Sequence, residues 1–235
     1  MTNKTKLTAV AIVIVFLVSP VAALAMNNFQ NSKPHVSSHS SPIRVACVGD
    51  SITEDSGYPS DLQSLLGGNY SVGNFGARGS TVLINSWKPY MYQPELQKVE
   101  DFQPDIVVVM LGTNDDLNSL QQYNESFEGD YAKLIYSFQK LDCNPKILIA
   151  ESPPIFSNSS DLSAQYFSET IIPKTLDLAN SLNLPIVDVY DAFGNHSDYF
   201  VDGVHPNSEG AGVIASEVYD AINADAEPPF SPGEP

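Results

Sequence analysis

The run Ile106-Val-Val-Val-Met-Leu111 holds six apolar residues without polar alternation. A strand with one wet face alternates apolar and polar side chains, so this one must be covered on both faces. That places it inside a parallel sheet, with helices above and below. Taken as Asp105–Leu111, it joins four further strand candidates: Ile43–Val48, Ser71–Phe75, Lys146–Ala150 and Pro185–Val189. Helical periodicity fills the intervals, at Pro59–Leu66, Pro94–Phe102, Glu125–Leu141 and Ser163–Leu182, and Asn207–Ala224 gives a last helix. Strand–helix alternation predicts a five-stranded parallel sheet in an α/β domain. Right-handed crossovers bring every strand's C-terminal end to one edge, where such sheets bind ligands.

The domain is expected over residues 43–225. Residues 1–25 read as an export signal: Lys4 and Lys6 precede the apolar Leu7–Val18, and Ala23-Leu24-Ala25 offers a small-x-small cleavage site. An uncleaved anchor is the alternative, although Ser19-Pro20 interrupts the stretch. Residues 26–42 form a polar linker and 226–235 a loose tail. The folded part is then extracellular or at the cell surface. Asn69, Asn124, Asn158 and Asn195 open sequons that permit glycosylation there.

The formal charge of −17, from 28 acids and 11 bases, argues against nucleic acid or an anionic membrane as partner. Cys47 and Cys143 fall at opposite ends of the sheet and are expected as two free, buried thiols. No Cys/His cluster has metal-ligand spacing, and His35 and His39 lie in the polar linker, so neither metal nor cofactor is expected.

A polar turn follows each strand, and the fold delivers all of them to one rim. They are Gly49-Asp50-Ser51, "NFGARGST" (74–81), "GTNDD" (112–116), "ESPP" (151–154) and "DGVHPNSEG" (202–210). Ser51 reads either as a nucleophile or as a polar residue opening a helix. A serine nucleophile needs a base, and the base an orienting partner. Only His196 and His205 lie in the domain. Asp202-x-x-His205 can set a carboxylate under its own imidazole; equally, Asp202 and Asn207 can be turn and cap residues around Pro206. Gly79 allows close approach of a backbone N–H to a developing oxyanion, and Asn114 offers a side-chain donor or a mere turn residue.

Together, Gly49-Asp50-Ser51, Asn74-x-Gly76-x-x-Gly79-x-Thr81, Gly112-x-Asn114 and Asp202-x-x-His205 resemble the four blocks of the SGNH hydrolases, or GDSL-type esterases and lipases, in family order. The resemblance implies a flavodoxin-like three-layer α/β/α sandwich and ester hydrolysis through an acyl-serine. It assigns Ser51 as nucleophile, His205 as base and Asp202 as its orienter. The oxyanion hole would combine the N–H groups of Ser51 and Gly79 with the Asn114 side chain. One departure is that Glu54-Asp55-Ser56 intervenes before Gly57, placing two acids near the entrance. The second block, followed by Trp87, Tyr90 and Tyr92, looks more like the carbohydrate acetylesterases of the superfamily than its long-chain lipases. Trp87 and Tyr90 are expected to stack on sugar, with loop packing as the alternative.

The expected activity is removal of short acyl groups, acetyl foremost, from carbohydrate. A lipase or thioesterase with the same machinery, and a surface carbohydrate binder without turnover, are the rival readings.

Overall fold

The computed structural model describes residues 41–157 and 161–224. The expected export segment, residues 26–40 of the linker, the Asn158 sequon and the tail at 226–235 lie outside the described residues. Five strands form one parallel sheet: β1 (Ile43–Gly49), β2 (Tyr70–Gly76), β3 (Ile106–Met110), β4 (Lys146–Ala150) and β5 (Ile186–Val187). Their order is β2-β1-β3-β4-β5. The order reverses around β1, which makes the C-terminal end of β1 the crevice of the sheet.

Successive residues of the central strands enter opposite cores. Ala46, Val48, Val107, Val109, Ile147 and Ile149 face one side. Val45, Cys47, Val108, Met110, Leu148 and Ala150 face the other. The first side packs on α3 (Pro94–Phe102), α4 (Phe127–Gln139) and α5 (Ile172–Leu182) through Val99, Tyr131, Leu134, Phe138 and Leu178. The second packs on α2 (Tyr58–Leu66) and α7 (Ser208–Asn223) through Leu62, Ala211, Ile214, Val218 and Ile222. The three layers of the expected α/β/α sandwich are therefore present. Each fully buried large side chain contributes on the order of 1.5–3 kcal/mol of transfer free energy.

Departures from the sequence reading have local causes. A short helix α1 (Ser51–Asp55) directly follows β1 because the Asp50 carboxylate caps it. β5 is only two residues long, since Asp188 accepts the Asp191 N–H and opens the short helix α6 (Val189–Ala192). The expected helix from Glu125 starts as a 3-10 turn over Gln121–Ser126 before α4. The one expected from Ser163 is a single turn (Ala164–Tyr166), then a π-helical turn (Phe167–Ile171), then α5. Pro173 has no N–H to give the Glu169 carbonyl, so a regular helix cannot run through. Cys47 and Cys143 are both free, but only Cys47 is buried; Cys143 is half-buried in the loop before β4.

Among the described residues no helix is long and apolar enough to cross a membrane. Among them, too, no group of three or more His, Cys, Asp or Glu is placed to hold a metal.

Candidate active site

Ser51 is the first residue of α1 and sits where β1 leaves the sheet. The Asp50 Oδ1 accepts the Ile52 N–H at 2.9 Å, which fixes the turn. Amides in the first turn of a helix have no intrahelical acceptor, so the Ser51 N–H remains a candidate donor. The Ser51 Oγ lies 3.0 Å from His205 Nε2, across 154 residues of sequence. His205 Nδ1 lies 2.8 Å from Asp202 Oδ2. With the imidazole proton on Nδ1, donated to Asp202, Nε2 is free to accept from Ser51.

Asp202 is held by its own loop. Its Oδ1 accepts the backbone N–H groups of Val204 and His205 at 3.0 and 2.8 Å. Partial burial pushes its carboxyl up, but the hydrogen bonds from the His205 backbone and ring outweigh this and bring it below the usual carboxylate range. The loop is anchored further by Val201 N–H to His205 O (2.9 Å) and Phe156 N–H to Gly203 O (2.7 Å). Asn207 then caps α7 by accepting from Glu209 and Gly210 N–H. The turn and cap roles weighed for Asp202 and Asn207 are thus real, and they coexist with the contact between His205 and Ser51. His196 is elsewhere, stacked on Tyr199 at 4.4 Å.

The oxyanion candidates meet at the same edge. Gly79 has φ +74, a conformation that favours glycine, and among the described residues no acceptor takes its N–H. A Cβ added there would meet open space. Asn114 Nδ2 donates to Asp50 Oδ2 (3.1 Å) and to the Ser80 carbonyl (3.0 Å). Both of its amide hydrogens therefore have acceptors in the free protein. Donation to an oxyanion requires one of them to be shared or exchanged.

Two buried carboxylates support this edge that the sequence reading gave smaller roles or none. Asp50 is 1 % exposed, and burial pushes its carboxyl up to about 6 against the pull of Ile52 N–H, His205 and Asn114. Asp115 accepts Val82 and Leu83 N–H at 3.0 and 2.9 Å, clamping the loop after β2 onto the turn after β3. Burial pushes it up to about 7.

Two depressions of about 320 and 310 Å3 meet at Ser51, Asp202 and His205. The first is lined also by Asp55, Arg78 and Val201. The second is lined by Thr113, Asn114, Leu117, Leu162 and Val204. Of the two acids flagged by sequence, Asp55 is neutralised by the Arg78 guanidinium at 2.6 Å, while Glu54 accepts the backbone N–H of Arg78 at 2.5 Å.

The aromatic expectation needs correction. Tyr90 is fully buried and donates its hydroxyl to the Phe75 carbonyl at 2.7 Å, so it packs the loop and faces no ligand. Trp87 and Tyr92 are 58 % and 67 % exposed, yet neither lines the two depressions.

Comparison with known proteins bears on the family and the fold. The model of the "GDSL-like Lipase/Acylhydrolase family" matches residues 47–213. The chain is 33% identical over 206 residues to an acetylxylan esterase of Xylanibacter ruminicola, covering 77% of this chain and 43% of that protein. It spans about half the length of the curated relatives it matches. In fold it is similar to the aryl esterase of M. smegmatis (TM-score 0.60, 18% identity, 77% of this chain and 99% of that one). It is likewise similar to a carbohydrate acetylesterase family member from Sinorhizobium meliloti (TM-score 0.56, 20% identity, 77% and 98%).

Proposed function

The chain belongs to the GDSL-like lipase/acylhydrolase family, and from that premise we propose that it is an exported serine esterase that removes short acyl groups, acetyl foremost, from carbohydrate. The observation that carries the reading is the chain of contacts from Ser51 Oγ through His205 to Asp202.

In the proposed reaction, the ester carbonyl sits above Ser51. Oγ attacks the carbonyl carbon as its proton passes to His205 Nε2. Asp202, kept ionised by its hydrogen bonds, orients the ring and stabilises the imidazolium. The oxyanion forms against the Ser51 and Gly79 N–H groups, with Asn114 Nδ2 exchanging or sharing its bond to the Ser80 carbonyl. Collapse expels the alkoxide, which takes the proton from Nε2 and leaves as the alcohol. Water then attacks the acyl-serine with His205 again as base, the acid departs and Ser51 regains its proton.

The carbohydrate assignment is supported by the likeness to an acetylxylan esterase. A neutral alcohol portion suits a rim whose cation, Arg78, already lies against Asp55. Export rests on the N-terminal sequence pattern alone.

The test is hydrolysis of p-nitrophenyl esters of two to twelve carbons, and of acetylated xylan, beside Ser51→Ala. A maximum at two carbons with acetate released from xylan is expected, together with loss of activity in the variant. A maximum at eight carbons or more replaces the acetylesterase with a longer-chain acylhydrolase. Equal, negligible rates in the two folded proteins on every substrate replace the enzyme with a binding protein.

A further inference from the structure

We propose that Asp50 is a positioning residue of the hydrolytic centre: its buried carboxylate ties the start of the Ser51 helix to the Asn114 amide and holds nucleophile and oxyanion donors in register. The inference rests on the esterase reading above.

The carboxylate does two things with two oxygens. Oδ1 accepts Ile52 N–H and shapes the Ser51 turn; Oδ2 accepts Asn114 Nδ2. The second hydrogen of that amide goes to the Ser80 carbonyl, next to Gly79. One carboxylate thereby links the turns after β1, β2 and β3, which carry the three expected oxyanion donors. A cap alone does not need an acid: Ser, Thr or Asn satisfies a helix N-terminus as well. Burying a carboxylate is costly unless both oxygens are used. What the acid adds is the second acceptor, aimed at Asn114.

The groups around it come from every packed element. His205, with Asp202 behind it, faces Asp50 from the loop before α7. Asp115 approaches from the turn after β3, Tyr131 from α4 and Tyr58 from α2. Glu54 and Asp55 lie on its own helix and are exposed. Asp115 spends its oxygens on Val82 and Leu83 and has none for the donors at Ser51. A proton on Asp50 would take an oxygen away from Ile52 or Asn114, so the tie requires the ionised form, which is reached as pH rises through about 6.

The experiment compares Asp50→Asn and Asp50→Ser with the unaltered protein, after Ser51→Ala has been measured. Persistence of hydrolysis in Ser51→Ala overturns the esterase reading and this inference with it. Given dependence on Ser51, both variants retain a neutral cap and are expected to melt within about 3 °C of the parent. In Asp50→Asn an amide donor faces the Asn114 donor, so kcat on p-nitrophenyl acetate is expected to fall about tenfold or more with KM nearly unchanged. The acidic limb of kcat/KM, which Asp50 shares with the His205 base, is expected to move down by at least about half a pH unit, because one of the two groups that must lose a proton is gone. Unchanged kcat overturns the proposal. So does lost kcat with an unmoved limb, or failure of both variants to fold, since each leaves the carboxylate a structural role only.

Discussion

The Asn114 amide is spoken for twice, by Asp50 and by the Ser80 carbonyl. Its expected contribution to catalysis is therefore the difference between a bond to an oxyanion and a bond to a neutral carbonyl. Asn114→Ala is expected to lower kcat on the order of a hundredfold or more while the protein remains folded. It also removes one of the bonds that pull the Asp50 carboxyl down, so the residual activity should require higher pH than the parent. Near-normal turnover by the purified variant would take Asn114 out of the mechanism. That Ser51, Gly79, Asn114, Asp202 and His205 come to one edge was legible in sequence, because each lies in a short polar block that a parallel sheet delivers to its C-terminal rim. The partners were not. Asp50 and Asn114 are 64 residues apart, and Asp115 and Leu83 are 32 apart, so no local pattern announces either bond. Tyr90 misled for the same reason: a tyrosine suits a sugar or a core equally, and only the Phe75 carbonyl beside its hydroxyl decides.

At the scale of elements, the nucleophile depends on how closely β2 approaches α1. Gly76 ends β2 opposite Gly49, and a Cβ there would collide with the Glu54 backbone and the Asp50 carbonyl. Asn74 reinforces the contact by donating Nδ2 to the carbonyls of Thr53 and Glu54. Gly76→Ala is expected to push α1 away, costing about 1–3 kcal/mol of stability. It should also cost activity beyond what the stability loss explains, because Ser51 rides on that helix. Urea denaturation and kcat on p-nitrophenyl acetate check both parts; wild-type values for the two would mean that β2 and α1 separate freely. The sequence reading placed the long elements within a few residues because their apolar periodicity is set by the sheet's two covered faces. It offered a helix at Ser51 only as an alternative and overextended β5; Asp50 and Asp188 start the two short helices there by side-chain capping. It also drew one helix from Ser163, although Pro173 denies the backbone bond that a continuous helix needs.

Across the whole molecule, burial places several carboxyls where they hold protons too long. Asp50, Asp115 and Asp116 are pushed up to about 6, 7 and 6 by burial, and Glu151 to about 8 by burial and the neighbouring Asp188. A folded-state value above the unfolded one means that the folded protein binds more protons in between. That contribution to stability is complete below the ordinary carboxylate range and is lost as pH rises through about 6 to 8. The lowered carboxyls, Asp202 and Glu95, act in the other direction, but only where pH falls into and below the ordinary range. A formal charge of −17 adds self-repulsion as the last carboxyls ionise. The melting temperature is therefore expected to peak near pH 5 and to fall by about 5 °C or more by pH 8, measured in buffers of equal ionic strength. A flat profile over that window would mean that these buried carboxyls ionise near their ordinary values. The activity profile should run the opposite way, because Asp50 must lose its proton to hold Asn114 and Ser51 together. The ionisation that completes the site is then one of those that loosen the fold, and Asp50→Asn separates the two: it should flatten part of the stability profile while lowering kcat.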